Sequence, residues 1–203
     1  LATSKLNIPL IHVEAGLRGY NKNVPEEVNR IVADLVSTLL FCSSQSAADC
    51  LSKENMVSGV HVVGDIMYDA LRLFLPQAKS FSDILDKNNL ITKQYYLSTI
   101  HRAKNTNNPE RLKSILKELD ELPYPVVLPL HPRTRKVVET HQIDTGSLIT
   151  IQPVSYCDML ILEKNSRLLI TDSGGCQKEA YWLGIPCITL ESEKVWVELF
   201  DSK

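Results

Sequence analysis

The segment 167–179 reads RLLITDSGGCQKE. Its apolar run at 167–170 predicts a buried strand, the pair Gly174–Gly175 predicts a tight turn, and the residues from 176 onward predict a helix. A strand that passes through a tight turn into a helix is the repeating unit of a parallel α/β sheet. The turn of such a unit lies at the carboxyl edge of the sheet, where α/β proteins bind their ligands. This segment therefore predicts both the fold class and the position of a site.

The same alternation of strand and helix patterns extends over the rest of the chain. Short apolar runs predict strands at 9–13, 39–42, 61–63, 95–100, 126–130, 148–151, 167–170 and 187–190. Amphipathic segments predict helices at 25–38, 46–53, 68–75, 109–119, 158–163 and 176–183. Near-continuous apolar strands separated by helices indicate parallel sheets that are covered on both faces. We therefore predict an α/β fold.

Local signals mark helix ends and a domain change. Asn108 before Pro109 predicts an N-cap, and Gly184 followed by Ile185 and Pro186 predicts a helix stop. We place the domain change near residues 64–65, and expect an inter-lobe or peripheral helical region at 74–89. Only three strands are predicted before the change, which is too few for a typical α/β lobe. We therefore expect the first lobe to lack its N-terminal part and to expose apolar sheet surface that promotes aggregation.

Composition narrows the class of protein. The 203 residues are 44% apolar and 23% charged, with a formal net charge of -2, so no global basic field would attract nucleic acid. No apolar run approaches the roughly 18 residues that a membrane span needs. No secretory signal is visible, and the expectation of a cytoplasmic protein comes from the unpatterned cysteines, which are typical of reduced thiols. The five cysteines are scattered without a paired motif, which predicts buried reduced thiols and argues against a zinc site.

The Gly-rich turn has the composition of a phosphate site. Gly174 and Gly175 let main-chain amides approach an anion at a helix N-terminus, and Ser173 offers a hydroxyl donor. Glu179 lies about one turn into the helix, where its carboxylate can accept from two ribose hydroxyls. A tight βα turn without any ligand fits the spacing equally well.

A second polar cluster follows the strand in IHVEAGLR (11–18). Glu14 lies near the end of that strand, and Glu26 lies at the start of the following helix. Two carboxylates in a water-poor cleft can differ in pKa and act as acid and base. The alternative is that Glu26 complements the helix dipole and pairs with Arg30 four residues later.

Two further strand ends carry histidine. His101 and Arg102 follow the strand at 95–100, where histidine can move a proton and arginine can bind phosphate oxygens. His131 begins the sequence HPRT after the strand at 126–130, where the alternative to a ligand site is a turn before a helix. A single histidine is more often structural. The four clusters at four strand ends together predict a cleft for an anionic ligand.

In this chain, motifs in a fixed order resemble the non-hydrolysing UDP-N-acetylglucosamine 2-epimerases. They are HVEAGLR (12–18), PEEVNR (25–30), VGDIMYDAL (63–71), TIHRA-N (99–105), LHPRT (130–134) and TDSGG-Q-EA (171–180). The resemblance covers nearly the whole chain, and the combination is specific although each motif alone is not. The stretch QKEAYWLGIPCITL (177–190) is similar to the branch that acts on UDP-2,3-diacetamido-glucuronic acid, a precursor of bacterial surface polysaccharides.

The resemblance implies the two-lobed GT-B fold, with a UDP-sugar bound between Rossmann-like lobes. Residues 1–66 would be the second half of the N-terminal lobe, and 67–203 the C-terminal UDP-binding lobe without its final tail. It also implies a homodimer for the full-length protein, and a reaction that needs no metal or nicotinamide. The alternatives are a GT-B glycosyltransferase, against which PEEVNR argues, and a degenerate nucleotide-sugar-binding fragment.

The family mechanism is elimination of UDP from C1 followed by its re-addition, with inversion at C2. By motif match the acid/base carboxylates are Glu14 and Glu26, and His101 assists at the diphosphate. The remaining matched positions bind UDP: Arg102, Ser173, Gly174 and Gly175 at phosphate, and Glu179 at ribose.

Three departures from the family pattern weaken parts of this assignment. Lys104 replaces a usual glutamate, and 191–195 reads ESEKV in place of Arg-Asp-Glu-Thr-Glu. Glu191 adds repulsion towards a bound dianion, which Lys194 partly offsets. His131 matches the histidine of an allosteric site in some members, but those read His-Leu-Asn-Pro, so HPRT argues against that site here.

Overall fold

A computed structural model describes residues 1–190, and these alternate between strands and helices as predicted. The chain divides into two compact units, and the first holds Leu1–Asp69. The first unit contains α1 (Ala2–Lys5), β1 (Ile11–Ala15), α2 (Pro25–Val36), β2 (Leu39–Cys42), α3 (Gln45–Lys53) and β3 (Val60–Val62). Its strands form a parallel sheet in the order β1-β2-β3, and its core includes Leu17, Leu40 and Leu51.

The second unit begins at Ala70, within α4 (Ile66–Phe81). It continues with α5 (Ile84–Lys87), β4 (Tyr96–Thr99), α6 (Ala103–Thr106), α7 (Pro109–Asp120), β5 (Val126–Pro129), α8 (Pro132–Thr140), β6 (Ile149–Ile151), α9 (Tyr156–Asn165), β7 (Leu168–Thr171), α10 (Gly174–Leu183) and β8 (Cys187–Thr189). Its five strands are all parallel, in the order β6-β5-β4-β7-β8. Two apolar cores pack in this unit, one around Leu97 and Leu169 and the other around Leu112 and Leu128.

This register positions the site. Tyr96 pairs with Leu168 and Thr99 with Thr171, so β4 and β7 end at the same level of the sheet. The residues that follow these two strands, 100–102 and 172–175, therefore lie side by side at the carboxyl edge. The predicted α/β class with parallel sheets is confirmed in each unit.

All eight predicted strands are present within one or two residues of their predicted ends, and so are five of the six predicted helices. Asn108 caps α7 by accepting from the amides of Glu110 and Arg111, and Gly184 ends α10 in the left-handed conformation. The helical prediction at 68–75 was too short, because α4 continues through Pro76 to Phe81. The predicted helix ranges did not include α8, whose sequence PRTRKVVET carries only two adjacent valines and hence a weak apolar period. Only the alternative considered for HPRT, a turn before a helix, anticipated it.

Surface exposure contradicts one expectation and agrees with another. All five cysteines are free, but only Cys42 is buried and Cys187 is exposed, so the expectation of buried thiols was wrong for Cys187. In β1, Ile11 and Val13 are 55% and 50% exposed, as expected for apolar sheet surface in the first unit. Within residues 1–190, every helix is too short or too polar to cross a bilayer.

Candidate functional site

The turn between β7 and α10 has amides available for an anion. Ser173 is the N-cap of α10, and its Oγ accepts from the amide of Cys176 at 3.4 Å. The amide of Gln177 bonds to the Ser173 carbonyl at 3.1 Å. The amides of Gly174 and Gly175, like others in the first turn of a helix, have no acceptor among the described residues. The turn is half-buried, so these amides and the Ser173 hydroxyl are the donors it offers.

Asp172 connects this turn to the end of β4. Its buried carboxylate accepts from the amides of His101, at 3.0 and 3.1 Å, and Arg102, at 2.9 Å, and from Nδ2 of Asn105 at 2.9 Å. Burial alone would raise the pKa of Asp172, but hydrogen bonds from His101, Asn105 and the two amides outweigh it and hold the pKa below its ordinary value. Asp172 therefore fixes the backbone of the predicted His101–Arg102 cluster.

The same carboxylate orients the His101 ring. Nδ1 of His101 lies 3.2 Å from Oδ1 of Asp172, and the ring is 37% exposed. With Nδ1 paired to the carboxylate, Nε2 is the nitrogen left for a ligand. The ring of His131 lies 5.2 Å from that of His101, between centroids. Burial lowers the pKa of His131, and the charges of His101 and Arg133 lower it further. The structure thus brings two predicted histidines together beside Asp172.

Arg102 and Lys104 lie at the short helix α6. Arg102 is its half-buried N-cap residue, and Lys104 is exposed within it. The departures at 191–195, including Glu191 and Lys194, lie outside the described residues.

Glu179 is more enclosed than a residue that receives a ligand usually is. It is 4% exposed and lies with Glu163 and Cys176 in a group whose ligand atoms are all within 4.8 Å of one another. Burial raises the pKa of Glu179, although hydrogen bonds with Tyr156 and Glu163 act in the opposite direction. Among the described residues, these three side chains are close enough to share a metal ion. Burial also raises the pKa of the Cys176 thiol and of Glu163, so a cation would have to displace their protons.

In the first unit, Glu14 occupies an irregular position at the end of β1. Val13 pairs with Phe41 and Ala15 with Cys42, so Glu14 forms a bulge between two regular pairs. Its φ is 67°, in the left-handed region that non-glycine residues rarely adopt. Such a conformation costs about 1–3 kcal/mol and is concentrated at functional sites. Glu14 is one of seven non-glycine residues with positive φ in the described part of the chain, and it combines that conformation with a bulge at a strand end.

A buried network holds the loop that follows Glu14. Asp34, in the last turn of α2, accepts from Nδ1 of His12 at 2.5 Å and lies 2.7 Å from Nη1 of Arg18. The amide of Gly16 also donates to Asp34, at 3.2 Å. Arg18 makes a two-pronged pair with Glu54 at 2.8 Å on each side. The burial of Asp34 is outweighed by hydrogen bonds from His12 and Arg18, which keep its pKa low.

Sequence reasoning did not predict that the carboxylates of Asp34, Glu54 and Asp172 hold the loops of the site by hydrogen bonds. For Asp34 a signal existed, because an acid interrupts the apolar face of an amphipathic helix. Glu54 carries no comparable signal, since its partner Arg18 is 36 residues away.

Glu26 and Glu27 are neighbours in sequence with different environments. Glu27 is 2% exposed and accepts from the amides of Gly19, at 3.1 and 3.0 Å, and Tyr20, at 2.9 Å. Arg30 pairs with Glu27 at 3.8 Å, a spacing of three residues in place of the considered pair with Glu26. Glu26 is exposed in the first turn of α2. Glu27 therefore serves the loop structure, while Glu26 keeps an accessible carboxylate.

The fold and the site define a parallel α/β protein. Its strand ends carry carboxylates in the first unit, and in the second unit they carry main-chain amides at the start of a helix. Residues 1–203 match the family model for UDP-N-acetylglucosamine 2-epimerase. The chain belongs to this family, and the resemblance seen in its motifs is confirmed.

Two relatives share 44% identity with 98% of this chain. One is a UDP-N-acetylglucosamine 2-epimerase homolog of Methanococcus maripaludis, and the other is the UDP-2,3-diacetamido-2,3-dideoxy-D-glucuronate 2-epimerase of Pseudomonas aeruginosa. The chain spans 57% and 56% of the lengths of these two proteins.

Solved structures agree with this family and with the predicted GT-B class. The Methanocaldococcus jannaschii UDP-GlcNAc 2-epimerase in complex with UDP-GlcNAc and UDP is 37% identical with a TM-score of 0.89, over 98% of this chain and 58% of that one. The Neisseria meningitidis enzyme bound to UDP-GlcNAc is 30% identical with a TM-score of 0.84, over 98% and 57%.

Proposed function

We propose that this chain is part of an epimerase that inverts C2 of a UDP-linked N-acetylamino sugar, for synthesis of surface-polysaccharide precursors. The substrate is UDP-GlcNAc, converted to UDP-ManNAc, or the diacetamido-uronic acid analogue. Membership of the epimerase family supports the reaction type, and the P. aeruginosa relative supports the second substrate. Because the chain spans little more than half of these relatives, the activity belongs to the complete protein.

The reaction needs a base and an acid at C2. The base removes the C2 proton, the bond between C1 and the UDP oxygen breaks, and a C1–C2 double bond forms. A proton is then delivered to the opposite face of C2 while the UDP oxygen bonds again to C1. We assign these proton transfers to Glu14 and Glu26. The observation that carries the assignment is Glu14 itself, a strained bulge residue at a strand end.

The leaving diphosphate needs donors that are already in place. In the second unit these are the Gly174 and Gly175 amides at the start of α10, the Ser173 hydroxyl, and Nε2 of His101. Preorganised donors stabilise the charge that develops on the leaving group without reorganisation during the reaction.

The remaining assignments rest on the motif match. Arg102 contributes positive charge at the diphosphate, and Glu179 binds the ribose hydroxyls. No metal or nicotinamide takes part. We place the protein in the cytoplasm. We also propose that the complete protein is a homodimer, which light scattering on the purified protein tests.

Solvent exchange tests the proposed chemistry directly. UDP-GlcNAc and its diacetamido-uronic acid analogue are incubated in D₂O with the 203-residue chain and with any longer gene product that contains it. We expect the active polypeptide to introduce deuterium at C2, followed by proton NMR. Glu14→Gln and Glu26→Gln should each slow exchange by about 10²–10⁴-fold, the usual contribution of an acid or base.

The control is Glu118→Gln, at an exposed position on α7, which should exchange at the wild-type rate. A folded, complete protein that exchanges neither sugar would refute the proposal. If such a protein still binds UDP in calorimetry, the second candidate is correct, a nucleotide-sugar-binding protein without turnover. Lys104, exposed on α6 where the resemblance implies glutamate, is the observation that favours this candidate. If UDP binds equally well to Ser173→Ala and Glu179→Ala, the nucleotide does not bind at the position proposed for it.

A further inference from the structure

Glu163 is a fully buried acid whose carboxylate lacks an N–H or O–H donor. It lies on α9 with 0% of its surface exposed, and no N–H or O–H group of the described residues donates to Oε1 or Oε2, although the Cys176 thiol acts on the carboxylate as a weak donor. An ionised carboxylate in such surroundings loses its hydration without compensation. A protonated carboxyl avoids that cost, and it also becomes a donor that needs an acceptor.

The acceptor in reach is Glu179. Atoms of Glu163, Cys176 and Glu179 lie within 4.8 Å of one another, and the last two are three residues apart on one face of α10. α10 also carries the buried Lys178, about 100° around the helix from Glu179 and so away from that face.

Other elements bring no cation to Glu163 within the described residues. Cys187 on β8 is close enough for its pKa to respond to Glu163, as is Tyr156 on α9 itself. On α5, which packs against α9, the lysine Lys87 is paired with Asp83. The surroundings are therefore acids, thiols and a phenol, which favour a neutral Glu163.

We propose that Glu163 is a positioning residue: its protonated carboxyl donates to Glu179 and fixes that carboxylate to accept from the two hydroxyls of a ribose. This rests on the proposed function, which places the ribose at Glu179. One proton shared by two buried carboxyls leaves a single negative charge, and Tyr156 contributes a second hydrogen bond to it. Burial, followed by the charge of Glu179, raises the pKa of Glu163 well above its ordinary value, in agreement with the geometry.

Two substitutions separate positioning from simple packing. Glu163→Gln keeps a neutral donor of the same shape, whereas Glu163→Leu keeps the volume and removes the donor. Calorimetry compares UDP with 2′-deoxy-UDP, which lacks one ribose hydroxyl. We expect wild type and Glu163→Gln to favour UDP by about tenfold, and Glu163→Leu to lose that preference while unfolding at an equal or higher temperature.

The pH profile adds a second readout. Because Glu163→Gln cannot ionise, its preference for UDP should stay constant as pH rises, whereas the wild-type preference should fall once Glu163 loses its proton. A Glu163→Leu variant that keeps the wild-type preference for UDP would overturn the proposal.

A third measurement is independent of nucleotide. Carbon-13 NMR of glutamate carboxyls in the full chain, assigned with Glu163→Gln, follows the ionisation of Glu163 directly. We expect it to titrate well above the other glutamates, and titration in their ordinary range would refute the proposal. Stoichiometric Zn²⁺ bound by wild type and lost in Glu163→Gln would refute it too. If UDP does not bind while Glu163 titrates high, the proposed function fails but the shared proton stands.

Discussion

Asp172 and Glu163 are both fully buried carboxyl groups of the second unit, and they differ in the donors around them. Asp172 accepts from two amides, the Asn105 side chain and the His101 ring, whereas no N–H or O–H group of the described residues donates to Glu163, which has only the weak thiol donor of Cys176. The pKa of Asp172 is accordingly lowered and that of Glu163 raised. Burial alone therefore does not decide the charge of an acid, because the donors present decide whether desolvation is compensated.

The largest expected effect comes from replacing each acid by leucine. Asp172→Leu leaves the amides of His101 and Arg102 without their acceptor and should lower the free energy of unfolding by about 3–5 kcal/mol. Glu163→Leu removes an acid that has no N–H or O–H donor, so we expect no loss of stability or a gain. Urea unfolding measures the stability of both variants. The surface control is Asp86→Asn, at an exposed position on α5. Equal losses for the two leucine variants would contradict the comparison.

A smaller effect is expected at the adjacent acids of α2. Glu27→Ala removes the acceptor for the amides of Gly19 and Tyr20 and should cost about 1–3 kcal/mol. Glu26→Ala changes an exposed side chain and should alter stability by no more than about 0.5 kcal/mol. Thermal and urea unfolding test this contrast, with Glu26 serving as the matched control for Glu27. A destabilising Glu26→Ala would mean that the functional and structural roles of the two acids are exchanged.

The smallest effect should be in the pH dependence of stability, where the two kinds of acid act in opposite directions. Asp34 and Asp172 have lowered folded pKa values, so their stabilisation is present above about pH 4, the unfolded value, and is lost as pH falls through the folded pKa. Glu163 has a raised folded pKa, so stability decreases as pH rises from about 4.3 towards that pKa.

Urea unfolding from acid to neutral pH measures both slopes. Asp172→Asn should flatten the acid slope only, and Glu163→Gln should flatten the fall at higher pH only. If the two variants and wild type give parallel pH profiles, the assigned charge states are wrong.

The strands and most helices could be predicted because their signals are local. Apolar runs located β1 to β8, and residues such as Asn108 and Gly184 marked helix ends where their backbone chemistry requires. Helix α8 was missed since its apolar residues are too few for a period, and α4 was cut short of Pro76, a residue that usually disrupts helices.

The site was predictable in outline, because every strand of a parallel sheet delivers its carboxyl end to the same edge. That rule placed His101 at the same edge as the Gly-rich turn, and the pairing of β4 with β7 then showed that the two lie side by side. The roles of Glu14, Glu26, His101, Arg102, Ser173, Gly174, Gly175 and Glu179 stay predictions.

The sequence by itself determined the α/β class, the order of strands and helices along the chain, the polar strand ends and the family, since these depend on residues close together in the chain. Only the tertiary structure decided that Asp172 orients His101, that Glu27 and not Glu26 is buried, that Glu14 adopts a left-handed bulge, and that Glu163 meets Glu179. The physical reason is that burial and hydrogen-bond partners arise from contacts between distant segments, and those contacts set the charge and geometry of each acid.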